Sequence, residues 1–130
     1  MILLDTCILL HIAATVPIPA AIEKVLRQGP WGISCLSAWE IGIKYALGKL
    51  PLPQPPAAWW PRAVDVFSLH VIPFTDVIAL RAGSLPPIHA DPFDRGIIAT
   101  ALQHDFRVAS VDRLLMPYGL ACGVQVIATT

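Results

Sequence analysis

Four acidic residues stand where the chain is predicted to pass from a β-strand into a helix: Asp5, Glu40, Asp94 and Asp112. In a parallel α/β sheet such junctions all lie at the carboxyl edge, so side chains far apart in the sequence would meet in one crevice. Carboxylates that are crowded together and partly removed from water either take up protons or bind a cation. Their hard oxygen atoms favour Mg²⁺ or Mn²⁺. The pattern therefore predicts a divalent metal site.

Taken singly, each of these acids is explained more simply as a helix cap. Ser37 and Glu40 match the two ends of a capping box, in which each side chain satisfies a free backbone N–H group. Asp91 and Asp94 match a second one, with Pro92 at the first helical position. The helix dipole also favours acids there. The other two acids would cap the turns that follow them.

Taken together, the acids favour the metal interpretation. Only 14% of the residues are charged, and five of the nine Asp and Glu residues belong to this group once Asp91 is included. Ser, Thr or Asn would cap a helix without charge, so chance would rarely place an acid at all four junctions. Capping and metal binding are also compatible, because a helix N-terminus fixes the carboxylate. We expect the ligands to be Asp5, Glu40, Asp94 and Asp112, with Asp91 as a further candidate.

The elements that must position these acids alternate along the chain. Short apolar runs predict strands at residues 2–4, 31–35, 71–73, 107–110 and 124–127. Amphipathic spacing predicts helices at residues 7–14, 20–28, 37–47, 57–69, 76–83 and 91–104. Strands separated by helices indicate a doubly wound α/β sandwich with a largely parallel sheet. The length of 130 residues fits one domain, residues 1–130.

Composition limits the partners and the compartment. The formal net charge is zero and the pI is about 6.9, so any nucleic-acid contact must be local or metal-assisted. The mean hydropathy of +0.64 indicates that a protein partner covers some apolar surface. The three cysteines are far apart, no leader sequence is recognisable, and no apolar stretch approaches the ~20 residues of a membrane span. We expect a cytoplasmic protein without membrane contact.

Four segments carry a resemblance to a known family. They are Leu3-Leu-Asp-Thr6, the stretch from Ser37 to Leu52, the stretch from Leu85 to Ala101 with its Asp-Pro-Phe-Asp-Arg block, and Ser110-Val-Asp112 followed by Tyr118-Gly119. In this order and spacing they resemble a PIN domain, and more narrowly the VapC-type toxin ribonucleases of bacterial toxin–antitoxin pairs. The resemblance covers nearly the whole chain, and the Asp-Pro-Phe-Asp-Arg block is specific.

The resemblance implies a three-layer α/β/α sandwich with a mainly parallel five-stranded sheet, and a Mg²⁺- or Mn²⁺-dependent endoribonuclease site. The four catalytic acids of the family correspond to Asp5, Glu40, Asp94 and Asp112. Asp91 matches an additional acid of one subgroup, and Ser110 fits the hydroxyl residue two positions before the last acid. The resemblance also implies an RNA substrate, a homodimer and a small antitoxin that lays an apolar segment over the toxin.

Phosphodiester hydrolysis explains why such residues are needed. A metal held by Asp5 and Asp94 would polarise a phosphate oxygen and lower the pKa of a bound water, giving a hydroxide for in-line attack at phosphorus. Asp112 and Glu40 would complete the coordination directly or through water, since Mg²⁺ retains several waters. No histidine is required as a general base.

Other residues near the acids have simpler interpretations. Lys44 lies four positions after Glu40, so an ion pair within the helix explains it at least as well as a phosphate contact. Lys49 and Arg95 are candidates for RNA backbone contacts, with a solvated side chain as the default. His89 is interpreted as a turn residue rather than as a donor to the acids. The four tryptophans are predicted to pack in the core or an interface rather than to stack on bases.

Two other functions fit parts of the pattern. A Mg²⁺-dependent phosphatase would use Asp5 as a nucleophile, but that chemistry commonly has a second acid two residues later, where this chain has Cys7. A non-catalytic PIN-like scaffold would keep the fold and act only as a binding partner. Loss of one of the four acids would favour the scaffold, and none is lost. A metal-dependent ribonuclease is therefore the leading hypothesis.

Overall fold

One five-stranded sheet forms the centre of the protein, for which a computed structural model describes residues 1–127 except the side chain of residue 120. Its strands are β1 (Ile2–Leu4), β2 (Trp31–Ser34), β3 (His70–Ile72), β4 (Arg107–Ala109) and β5 (Val126–Ile127). The order is β3-β2-β1-β4-β5, and all four pairings are parallel. The predicted α/β class with a parallel five-stranded sheet is confirmed.

Helices connect the strands. They are α1 (Thr6–Ala13), α2 (Ala20–Leu26), α3 (Cys35–Ala46), α4 (Pro56–Val66), α5 (Asp76–Gly83), α6 (Pro92–His104) and α7 (Met116–Cys122), with a 3₁₀ turn at Arg113–Leu115. Helix α7 is absent from the sequence prediction, because Pro117 and Gly119 weaken its helical pattern. Pro117 lies in the first turn of α7, where a missing N–H costs little.

The helices cover both faces of the sheet, because the side chains of a strand alternate between its two faces. Ile2 and Leu4 of β1 pack in a core with α1, α2 and α4. Leu3 and Val108 belong to a second core with α5, α6 and α7. The three-layer α/β/α arrangement is thus confirmed. Within residues 1–127, no helix has the length and apolar character needed to cross a membrane.

Helix α3 begins two residues earlier than predicted, and the capping box assigned to Ser37 and Glu40 is wrong. The N-cap is Ser34, whose Oγ accepts a hydrogen bond from the amide of Leu36 at 3.1 Å. Ser37 lies inside the helix and is fully buried. The carboxylate of Glu40 is therefore not used to cap this helix.

Helices α3 and α6 approach each other closely at Gly96, which brings together the helices that carry Glu40 and Asp94. A Cβ atom at Gly96 would lie 2.2 Å from Cδ1 of Leu36 and 3.1 Å from Cε1 of Phe74. Any larger residue would push these side chains away. The glycine therefore permits the close approach of the two helices that carry these acids.

Candidate metal centre

Asp5 follows β1 and caps α1. Its Oδ1 accepts a hydrogen bond from the amide of Ile8 at 2.8 Å, and its Oδ2 accepts one from the hydroxyl of Ser110. Ser110 follows β4, which pairs with β1, and its Oγ also accepts a hydrogen bond from the amide of Asp112 at 2.9 Å. Asp5 is only 3% exposed. Because β1 and β4 are neighbours, the hydroxyl of Ser110 links Asp5 to Asp112.

Glu40 reaches the same region from α3. Its Oε1 accepts a hydrogen bond from the hydroxyl of Thr6 at 2.6 Å, and its Oε2 lies 2.7 Å from Nζ of Lys44. The hydroxyl of Thr6 is also 2.9 Å from Oγ of Ser37. Thr6 directly follows Asp5, so it ties Glu40 to Asp5. The ion-pair interpretation of Lys44 is confirmed.

Asp94 and Asp112 meet around His89. Nε2 of His89 lies 2.9 Å from Oδ2 of Asp94 and 3.6 Å from Oδ2 of Asp112. One possible ligand atom from each of the three residues lies within 4.8 Å of the other two. Asp94 sits in the first turn of α6, whereas Asp112 caps the 3₁₀ turn by accepting a hydrogen bond from the Leu114 amide at 2.9 Å.

Asp91 is the N-cap of α6, as predicted. Its Oδ1 accepts a hydrogen bond from the amide of Phe93 at 2.9 Å. Its negative charge also raises the pKa of Asp94. Asp91 therefore combines a capping role with an electrostatic effect on the site.

Burial and crowding disfavour ionisation of two acids. Burial raises the pKa of Asp5 to about 6, with hydrogen bonds from Ser110 and Ile8 opposing the change and the charges of Glu40 and Asp112 adding to it. Burial, and then the charge of Asp91, raise the pKa of Asp94 to about 7, while His89 acts in the opposite direction. The charges of Asp5 and Glu40 act on Asp94 as well. These acids therefore share one electrostatic environment.

This donor set fits a divalent cation. The acids supply hard oxygen atoms, and a bound cation would compensate the negative charge that burial and repulsion now disfavour. The ligand atoms converge most closely at Asp94, Asp112 and His89. Among the described residues this group does not include Asp5 or Glu40. Ser110 links Asp5 to the amide of Asp112, and Thr6, the residue after Asp5, donates a hydrogen bond to Glu40.

His89 is the residue that the sequence interpretation placed wrongly. Its imidazole contacts two of the acids rather than serving only in a turn. In the sequence, only its position two residues before Asp91 indicates a place near the acids. That position does not predict the contacts, because the direction of the imidazole depends on the fold of the loop before α6.

Arg95 has a different role from both of its predicted ones. Its guanidinium donates hydrogen bonds to the carbonyl oxygens of Ala82 at 2.8 Å, Leu85 at 2.9 Å and Pro86 at 3.1 Å. It is therefore half-buried rather than freely solvated, and it holds the loop between α5 and α6. Lys49 is exposed, in agreement with its default interpretation.

Three of the four tryptophans pack in the core. Trp59 is buried in the first core, and Trp31 and Trp60 pack against it. Trp39 is instead 63% exposed, and its ring meets that of Phe93 edge-on with centroids 5.2 Å apart.

Comparisons with known proteins agree with the fold. The family model of the PIN domain matches residues 2–115, a range that contains all the acids described above. The chain is 59% identical over 29 residues to Ribonuclease VapC16 of Mycobacterium tuberculosis (strain ATCC 25618 / H37Rv). That match spans 22% of this chain and about a fifth, 21%, of the curated relative.

Solved structures share the fold at low sequence identity. The VapBC2 structure from Rickettsia felis, bound to a promoter DNA fragment, has a TM-score of 0.65 at 16% identity over 98% of each chain. FitAcB from Neisseria gonorrhoeae has a TM-score of 0.64 at 20% identity, with 98% of this chain and 96% of that chain covered. A toxin–antitoxin complex from Klebsiella pneumoniae has a TM-score of 0.63 at 19% identity, with the same coverage of 98% and 96%. Since the family model matches residues 2–115, which is most of the chain, the protein belongs to the PIN domain family.

Proposed function

We propose that this protein is a Mg²⁺- or Mn²⁺-dependent endoribonuclease that hydrolyses RNA phosphodiester bonds and is the toxin of a toxin–antitoxin pair. The observation that carries the proposal is the convergence of Asp94, Asp112 and His89 beside the hydrogen-bonded pair of Asp5 and Ser110. Membership of the PIN family and the short match to a ribonuclease of the VapC type support it.

The divalent ion would be held by Asp94 and Asp112, and by Asp5 and Glu40 directly or through water. When bound, such an ion supplies the charge that polarises a phosphate oxygen and lowers the pKa of a coordinated water. Without the ion, the crowded carboxylates would repel the phosphodiester backbone. By holding the ion, the same acids would allow the substrate to approach and would also promote its hydrolysis.

Neighbouring side chains orient the acids before the substrate arrives. Ser110 donates a hydrogen bond to Asp5, and its oxygen accepts one from the amide of Asp112. Thr6 donates a hydrogen bond to Glu40. Because these bonds are buried, the carboxylates need little reorganisation during the reaction.

The test is cleavage of structured RNAs by the purified protein in Mn²⁺ or Mg²⁺, with and without EDTA. Asp94→Asn and Asp5→Asn should each lower the rate on the order of 100-fold, since each removes a negative charge that holds the ion. Asp65→Asn, an exposed position on α4, is the matched control and should retain activity.

Other outcomes would assign another function. Hydrolysis of phosphomonoesters without RNA cleavage would indicate the phosphatase, and metal binding without turnover would indicate the scaffold. RNA cleavage that persists in EDTA or in Asp94→Asn would contradict the proposal.

We propose that the antitoxin lays an apolar segment in the groove between α1 and α4. This groove has a volume of about 430 Å³, and Ala13, Trp59, Val66 and Phe67 contribute to its lining. The Klebsiella pneumoniae structure is a toxin–antitoxin complex, which supports a protein partner for this fold. Coexpression with an antitoxin encoded beside the gene should inhibit the ribonuclease, and Val66→Asp should relieve the inhibition while preserving cleavage.

We also propose a homodimer that covers the exposed face of α3. Trp39 and Ile43 on this helix and Leu47, its C-cap, are spaced four residues apart and are 63%, 37% and 63% exposed. A two-fold axis would pair such a stripe with its copy. Light scattering should show a dimer for the natural sequence and a monomer for Leu47→Glu; a monomer in both cases would contradict this arrangement.

We also propose that the protein acts in the cytoplasm. Its three cysteines, Cys7, Cys35 and Cys122, are free, as is typical of proteins in a reducing compartment.

A further inference from the structure

We propose that His89 supplies an imidazole nitrogen ligand to the divalent ion at Asp94 and Asp112, so that the centre prefers Mn²⁺ to Mg²⁺. This inference rests on the proposed metal-dependent function and adds to it a ligand and an ion preference. The sequence interpretation and the PIN resemblance identify only carboxylates.

The first argument is the spacing of the ligand atoms. Nε2 of His89 is 2.9 Å from Oδ2 of Asp94 and 3.6 Å from Oδ2 of Asp112. Adjacent ligands of an octahedral ion with bonds of about 2.1 Å are roughly 3 Å apart. The two separations are close to this value, so one ion can contact all three residues after small side-chain shifts.

The second argument is that hydrogen bonds fix the backbone at His89. Its amide donates a hydrogen bond to the hydroxyl oxygen of Tyr118 at 3.1 Å, and Tyr118 is fully buried. Arg95 clamps the preceding part of the loop through the carbonyls of Leu85 and Pro86. An exposed turn needs no such support, whereas a metal ligand must be held in place.

The ion preference follows from the chemistry of the donors. Mg²⁺ is bound mainly by oxygen atoms and keeps much of its hydration shell. Imidazole binds first-row transition ions more readily, and Mn²⁺ combines that property with an affinity for carboxylates. Two carboxylates and one imidazole therefore favour Mn²⁺ more strongly than carboxylates alone would.

The test uses Mn²⁺ alone, without RNA, and electron spin-echo envelope modulation of the metal-loaded protein. A directly bound imidazole should give a nitrogen coupling, which should change in protein made with ¹⁵N-histidine. The coupling should be present in the natural sequence and in His70→Gln, an exposed histidine on β3, and absent from His89→Gln. Calorimetry should show that His89→Gln loses about tenfold in Mn²⁺ affinity but less than about threefold in Mg²⁺ affinity.

Two results would overturn the inference while the metal centre stands. One is Mn²⁺ that binds the natural protein, and is lost in Asp94→Asn, without any nitrogen coupling. The other is an equal loss of Mn²⁺ and Mg²⁺ affinity in His89→Gln, which would indicate an orienting contact only. If the natural protein binds neither Mn²⁺ nor Mg²⁺, both this inference and the proposed function fail. The spectrum of the natural protein decides the point even if a variant folds poorly.

Discussion

Ser110 donates a buried hydrogen bond to Asp5, although 105 positions separate the two residues in the sequence. The bond joins the ends of β4 and β1, which pair side by side at the centre of the sheet. Because the oxygen of Ser110 also accepts from the amide of Asp112, one hydroxyl sets the positions of two proposed metal ligands. The geometry of the site thus depends on the register of the sheet.

Ser110→Ala should weaken the metal centre without removing a ligand. The loss of this hydroxyl leaves Asp5 less oriented and removes an interaction that lowers its pKa. We expect the Mn²⁺ affinity to fall by about tenfold and the free energy of unfolding by about 1–3 kcal/mol. Calorimetric titration and urea denaturation would measure these changes. Ser84→Ala, at an exposed position after α5, is the control, and equal Mn²⁺ affinity in both variants would contradict the proposed role.

Asp5 should make the metal-free protein less stable as the pH rises. Its pKa in the folded protein is about 6, above the ordinary value of 3.8. Its contribution to stability is therefore complete below about pH 4 and is lost as the pH rises through about 6. The difference corresponds to roughly 3 kcal/mol. Urea denaturation of EDTA-treated protein should show this fall, and Asp94 should act in the same direction because its pKa is also raised.

Asp5→Asn tests the assignment of that pH dependence. The amide is nearly isosteric with the carboxyl group and does not ionise, so the stability curve should become flatter between about pH 4 and about pH 6. Asp65→Asn should leave the curve unchanged in shape, because this side chain is exposed. If the curve for Asp5→Asn were parallel to that of the natural protein, groups other than Asp5 would cause the loss of stability with rising pH.

The sequence was sufficient for the parts of the site that follow local rules. Three of the acids are N-caps of the helix or turn that follows them: Asp5, Asp91 and Asp112. Their positions could therefore be predicted from the starts of these segments. Glu40 was assigned to this region because it follows the second strand, and only its alternative explanation as a helix cap is wrong. Its capping box fails because Ser34 already caps α3, and its actual partners are Thr6 and Lys44.

His89 could not be predicted in the same way. Its direction depends on a loop whose backbone is bound by Arg95 and by the buried hydroxyl of Tyr118, 29 residues away. Such contacts have no periodic or spacing signal. Helix α7 was missed for a related reason, because packing of Tyr118 in the second core stabilises a segment with weak intrinsic helical preference.

Arg95→Lys should destabilise the protein rather than weaken RNA binding. An ammonium group cannot reach the carbonyls of Ala82, Leu85 and Pro86 together, whereas the planar guanidinium does. We expect a loss of about 2–3 kcal/mol in the free energy of unfolding. Arg81→Lys on α5, where a single hydrogen bond to Gln103 is exposed, should cost much less. Unchanged stability with reduced RNA affinity would restore Arg95 as a substrate contact.

The central claim is that acids from distant parts of the chain form one centre for a divalent ion. Anomalous diffraction from crystals grown with Mn²⁺ tests it most directly. We predict one strong peak in contact with Asp94 and Asp112, within direct or water-mediated reach of Asp5, and its loss in Asp94→Asn. The absence of a peak among these side chains, at a Mn²⁺ concentration that supports RNA cleavage, would contradict the claim.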